Sequence, residues 1–151
     1  MDDFYLPADL RTPDRLGQIG CNIHYERFLS QVFPALSALK NASDGVNVTF
    51  TDCTYQIFDC HRMDYTEQFS TITKQPLTIV EGSYSLRPEF RDAYDLKVFL
   101  DISPEMQKIR LLARNGEEAY KIFESKWIPM ELNYFHYFKV AEGCDLSFTA
   151  E

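Results

Sequence analysis

Apolar residues recur at three- and four-residue intervals between Asn22 and Lys40, placing Phe28, Val32, Leu36 and Leu39 on one helical stripe. Pro34 falls inside that stripe and predicts a kink or a division, because its ring blocks an intrahelical hydrogen bond. Asn41-Ala42-Ser43-Asp44-Gly45 follows as a turn cluster, with Gly45 suited to cap the helix C-terminus. The period then changes to two. Val46, Val48 and Phe50 alternate with polar residues and predict a strand running toward Tyr55. Leu77-Thr78-Ile79-Val80 is a short apolar, β-branched run that ends in Glu81-Gly82, and Asp95–Ile102 is another strand pattern, nearly continuously apolar in its second half.

The clearest punctuation comes next. Ser103 suits a helix N-cap, Pro104 its first turn, and Glu105 complements the positive end of the helix dipole. Asn115-Gly116 predicts the end of that helix, and aromatic-rich helical sequence continues through Phe138, broken near Pro129. Cys144–Phe148 is the last strand pattern. Short apolar strands alternating with helices predict an α/β domain with a mainly parallel sheet flanked by helices. Such sheets place function at the C-terminal ends of their strands.

Composition narrows the classes. The 151 residues fit a single domain, with 45% hydrophobic and 25% charged residues as in a globular protein. A net charge of −8 argues against nucleic acid and anionic membrane as partners, since both require a concentrated basic surface. No apolar run approaches the roughly 20 residues that span a bilayer. No export signal opens the chain, so a cytoplasmic location is expected. Cys21, Cys53, Cys60 and Cys144 show no Cys-x-x-Cys spacing and read as reduced thiols. His24, His61 and His136 are isolated from one another. Cys60-His61 is rejected as a nucleophile pair because neighbours on an extended chain point oppositely.

The polar residues at strand ends carry the candidate chemistry. They are Asp2-Asp3, Tyr55 with Asp59, and Glu81-Gly82. Carboxylates converging on one sheet edge suit Mg²⁺ binding and activation of a hydroxyl nucleophile. Arg110 and Arg114, four apart, share one face of the Ser103 helix and suit contact with phosphate oxygens. Singly, each has a plainer reading: loop carboxylates and N-caps, a solvent-facing helix side, and core aromatics at Tyr5, Tyr55 and Phe58.

In combination these residues resemble the uridine kinase/phosphoribulokinase branch of the P-loop kinases. The motif order runs through Asp2-Asp3-Phe4-Tyr5, Asn22-Ile23-His24-Tyr25-Glu26-Arg27-Phe28 and Tyr55. It continues through Ile79-Val80-Glu81-Gly82-Ser83-Tyr84 and Tyr94-Asp95-Leu96-Lys97-Val98-Phe99-Leu100-Asp101 to the helix bearing Arg110 and Arg114. The resemblance implies a nucleoside-kinase-like, P-loop NTPase-like α/β fold spanning residues 1–151, with a lid over about residues 104–130. It implies transfer of the ATP γ-phosphoryl group to a hydroxyl of a nucleoside or small sugar, uridine or cytidine first, with ATP and Mg²⁺ as cofactors. Asp2 would accept or orient the proton of the acceptor hydroxyl, and Arg110 and Arg114 would close over the phosphates. Asp3, Tyr5, His24 and Tyr55 would line the substrate pocket. Glu81 would hold Mg²⁺ directly or through water.

Two departures qualify the expectation. His24 falls where the family carries an Asp-bearing segment for ribose hydroxyls, and an imidazole offers one acceptor at most. None of the six glycines is followed by Lys, so the sequence contains no Gly-x-x-x-x-Gly-Lys-Ser/Thr phosphate loop. The missing strand, loop and helix would amount to roughly 30 residues. That strand would be a central one, so its loss predicts exposed neighbouring edges and apolar faces, and negligible ATP affinity. The domain is therefore expected to be an N-terminally truncated piece of a longer enzyme. A non-catalytic nucleoside- or protein-binding remnant is the alternative, and an unrelated α/β domain is disfavoured. Homo-oligomerisation stays open.

Overall fold

Thr12 caps the first α-helix, α1 (Pro13–Gly17), by accepting the Arg15 backbone N–H at 3.2 Å. The next apolar stripe is divided as Pro34 predicts. A computed structural model, describing residues 1–150, shows α2 (Tyr25–Gln31) and α3 (Phe33–Ser43) meeting at Val32, with Pro34 in the first turn of α3. The end of α3 follows the turn cluster. Gly45 takes φ +81°, its N–H donates to the Ala42 carbonyl, and the Val46 N–H reaches back to Asn41 at 2.8 Å. That pair of bonds satisfies the last helical carbonyls and requires a residue without Cβ strain.

The chain divides into two compact units, Met1–Asp95 and Leu96–Glu151. In the first, β1 (Cys53–Asp59) and β2 (Asp64–Ile72) form an antiparallel hairpin. The ladder begins at Cys53; Val46–Phe50 alternates but joins no strand, because no neighbouring segment offers it a ladder. An irregularity between Gln56 and Phe58 shifts the register by two residues, with Ile57 alone facing Thr66–Gln68 of β2, and Phe58 beyond it is buried as Cys53 is. The core gathers Phe4, Phe28, Val32, Ala35, Leu36, Cys53, Phe90 and Ala93. Phe90 is fully buried, its ring centroid 4.5 Å from that of Phe28.

In the second unit β3 (Val98–Ile102) and β4 (Leu146–Ala150) pair in parallel, Val98 opposite Leu146 and Leu100 opposite Phe148. Asp145 fixes the register. Its carboxylate accepts the Lys97 backbone N–H at 2.7 Å and its own N–H donates to the Lys97 carbonyl at 2.8 Å. Ser103 caps α4 (Pro104–Ile122) through its Oγ and the Met106 N–H, at 3.2 Å. Gly116 breaks the helical geometry of α4 where the sequence predicts an end, at φ +78°, and helix resumes beyond it. A π-helical turn (Phe123–Trp127) leads into α5 (Ile128–Tyr137), with Pro129 in its first turn. The Phe99 ring meets Phe135 edge-on at 5.3 Å, which covers one face of the pair.

The chain is thus mixed α/β, but the expected mainly parallel sheet is two separate pairs, one antiparallel and one parallel. The β2 strand escapes sequence reading because Asp64–Ile72 is mostly polar and half-exposed, so it lacks a strong apolar alternation. Leu77–Val80 corrects another expectation. It belongs to no sheet, with Leu77 74% and Ile79 78% exposed. A strand needs a partner for its N–H and C=O groups, and none lies beside this run among the described residues. No helix among those residues is long and apolar enough to cross a membrane.

Candidate functional site

The Asp2-Asp3 motif forms a single 3₁₀ turn (Asp2–Phe4) rather than the end of a strand. Phe4 anchors it by packing edge-on against Phe28 at 5.2 Å. Beyond the turn, the chain lies alongside the segment that precedes α2. Tyr5 and Ile23 form an isolated antiparallel bridge, the His24 N–H donates to the Phe4 carbonyl at 2.7 Å, and Leu6 bonds to Asn22 at 3.0 Å. These bonds bring Asp2, Asp3, Tyr5 and His24 into one neighbourhood.

Glu81-Gly82 also joins the turn. The Met1 ammonium donates to the Glu81 carbonyl at 2.6 Å. Gly82 makes the approach possible: at φ +129°, a Cβ there would lie 2.8 Å from the Met1 Cβ. The exposed carboxylates of Asp2 and Glu81 therefore belong to adjoining backbone segments.

Arg27 is the residue around which this region is built, and it is almost wholly buried. Its Nη1 donates to the Asp3 carbonyl at 2.6 Å, its Nη2 to the Gln56 carbonyl, and its Nε to Gln31 Oε1 at 3.0 Å. The guanidinium carbon stands 4.6 Å from the ring centres of both Phe4 and Tyr65. A buried charge is tolerated only when its donors are matched, and here backbone carbonyls and two aromatic faces match them. Asp3 is equally committed, because its Oδ1 accepts the Phe58 N–H at 3.2 Å. Asp3 therefore ties the N-terminal turn to β1. Tyr55 lies against the Phe4 ring at 5.2 Å and packs on the core cluster.

A second basic cluster supports the loop before α2. Arg15 grips Glu26 with both terminal nitrogens, at 2.6 and 2.7 Å, and also donates to the Cys21 and Ile23 carbonyls. Arg15 and Arg87 stack on the Tyr25 ring at 4.6 and 4.1 Å. Burial works against the Glu26 carboxylate, but the bond from Arg15, bonds from its own backbone N–H and from Tyr25, and the Arg15 charge together outweigh it and hold Glu26 at about 2.

These parts frame an open cleft of about 580 Å³ lined by His24, Glu26, Arg27, Gln31, Gln56 and Tyr65. His24 Nδ1 lies 2.8 Å from the Tyr65 hydroxyl. Burial lowers the His24 pKa and raises that of Tyr65. Its lining residues bring several hydrogen-bonding groups together on an open surface. Sequence reading missed Arg27, Tyr65, Glu26 and Gln56. Arg27 was visible only as a charge on the buried face of an amphipathic helix, and Tyr65 sits on the strand that the pattern concealed.

Arg110 and Arg114 lie in the second unit, exposed on α4, with Arg114 Nε donating to Asn115 Oδ1 at 2.8 Å. Cys60 lies on the β1–β2 turn, where burial and the carboxylates of Asp2, Asp3 and Asp59 push its thiol up. That is the opposite of what a thiolate nucleophile needs. The chain matches no protein-family model, and no curated protein matches it either.

Proposed function

We propose that Met1–Asp95 carries the acceptor side of a uridine kinase-like phosphotransferase. Its reaction is transfer of the ATP γ-phosphoryl group to a hydroxyl of a nucleoside or small sugar. The observation that carries the reading is the close packing of Gly82 against Met1, with the Met1 nitrogen on the Glu81 carbonyl, which joins the Asp2 turn to Glu81-Gly82. A proton-accepting carboxylate beside a metal-holding one is what phosphoryl transfer to an alcohol requires. Asp2 takes the hydroxyl proton, and the polar cleft at His24 holds the body of the acceptor.

Mg²⁺ in such sites is bound by one or two carboxylates together with substrate phosphates. Glu81 would supply one such carboxylate, and no cluster of three or more candidate ligands occurs among the described residues. The ion would neutralise charge on the transferred group. ATP is a different matter. The sequence offers no Gly-x-x-x-x-Gly-Lys loop, so this chain has no cradle for its phosphates.

A P-loop NTPase-like fold is part of the same proposal. Loss of a central strand from such a sheet leaves its neighbours with open edges and bare apolar side chains. Leu100 on β3, at 73% exposure, is in that condition. The second reading, a non-catalytic binding remnant, draws on the structural use of Asp3 and Tyr55 and on the missing loop.

Enzyme assays separate the two. Purified chain is expected to show no ATP-dependent phosphorylation of uridine, and measurable turnover would refute the phosphate-cradle argument. In a longer protein that supplies the loop, Asp2→Asn is expected to abolish transfer while sparing nucleotide binding. Unchanged turnover in that variant removes Asp2 from its role, and an inactive longer protein favours the binding remnant.

A further inference from the structure

Asn115-Gly116 marks the break in α4 and takes no part in the chemistry above. Residues 113–118 are all exposed. Helical geometry holds the peptide between Asn115 and Gly116 from its N-terminal side only, because Gly116 departs from it at φ +78° and ψ 172°. A Cβ placed on Gly116 would meet nothing within 4 Å, so the flank of its backbone nitrogen is open.

Arg114 adds a chemical feature to this opening. Its Nε donates to Asn115 Oδ1 at 2.8 Å. A guanidinium carries donors only, so the atom it faces is the amide oxygen. A cationic donor on that oxygen draws electron density from Cγ and stabilises negative charge arriving on Oδ1. An unhindered backbone nitrogen thus follows directly on a polarised side-chain amide.

We propose that Asn115 is a site of spontaneous deamidation promoted by Arg114. The Gly116 backbone nitrogen attacks Asn115 Cγ, the Cγ–Nδ2 bond breaks, and the proton shed by the Gly116 nitrogen leaves with Nδ2 as ammonia. The product is a cyclic imide, which water then opens. Cleavage of the ring nitrogen from Cγ gives aspartate, and cleavage from the main-chain carbonyl carbon gives isoaspartate. Either product sets a carboxylate beside Arg114, and isoaspartate lengthens the main chain by a methylene at the break in α4. The other four asparagines lack this combination. Asn22 is buried and precedes β-branched Ile23, and Asn47 precedes β-branched Val48. Asn41 and Asn133 lie inside α3 and α5, followed by Ala42 and Tyr134.

Peptide mapping by mass spectrometry tests this on the intact chain, kept for several weeks in mildly alkaline buffer at body temperature. Asn115 is expected to exchange its amide for a carboxyl, with isoaspartate among the products, while the other four asparagines stay intact. An unmodified Asn115, or one converted no faster than the others, overturns the proposal. Aspartate without isoaspartate would mean direct attack by water and overturns the ring step. Arg114→Lys keeps the cation, removes the Nε donor and is expected to slow conversion about fivefold. No slowing, or equal slowing in urea where the folded geometry is lost, overturns the role assigned to Arg114.

Discussion

Met1–Asp95 and Leu96–Glu151 draw on similar aromatic and aliphatic residues but bury them differently. In the first unit, Phe4, Phe28 and Phe90 meet between two helices and a hairpin, and the buried Arg27 closes the edge of that core with matched hydrogen bonds. In the second, the β3–β4 pair is covered on its Phe99 side only, and Leu100 and Phe148 on the other side are 73% and 55% exposed. An apolar strand pattern records what a strand is suited to pack against. Burial further requires a second layer, which the first unit has and this face of the second lacks.

Phenylalanine truncations give the largest contrast. Phe90→Ala is expected to cost about 3–5 kcal/mol of stability in urea unfolding, because a fully enclosed ring leaves a cavity. Phe148→Ala is expected to cost less than about 0.5 kcal/mol, as an exposed side chain away from packed features does. Comparable losses at the two sites would mean that the β3–β4 face is covered in solution, and the comparison would fail.

A smaller effect tests the electrostatics of the first unit. The Glu26 carboxylate is held at about 2 against an ordinary 4.5. A depressed carboxylate contributes stability above its unfolded value and loses it as pH falls through the folded one. The window therefore runs from about pH 4.5 down to about pH 2. The Glu26 side chain is about half-exposed, so screening limits the contribution to about 1 kcal/mol or less. Glu26→Gln is expected to flatten that part of the acid limb in urea midpoints measured against pH. An acid limb identical to wild type would show that Arg15 and Glu26 do not pair in solution.

The helices were the legible part of the fold, because their signals are local. Pro34, Gly45, Ser103 and Gly116 each act through backbone sterics or a cap within a few residues, and each shapes the chain where its type predicts. Strands were less legible because pairing is non-local. Leu77–Val80 has the composition of a strand and no ladder, while Asp64–Ile72 has a ladder and little strand composition. The candidate site divides along the same line. Asp2, Tyr5 and His24 could be named from motif order, and the chain does gather them. Arg27 and Tyr65 could not, since their importance comes from what β1 and β2 bring to them across the hairpin.

The site's location in the first unit can be measured without ATP, Mg²⁺ or turnover. Uridine titrated into nitrogen-15-labelled protein is expected to shift amide and side-chain resonances around His24, Gln56 and Tyr65, which line the cleft. Resonances of β3, β4 and α4 are expected to stay in place. Saturating shifts confined to the cleft would support an acceptor site carried by Met1–Asp95; no shifts, or shifts only beyond Asp95, would contradict it.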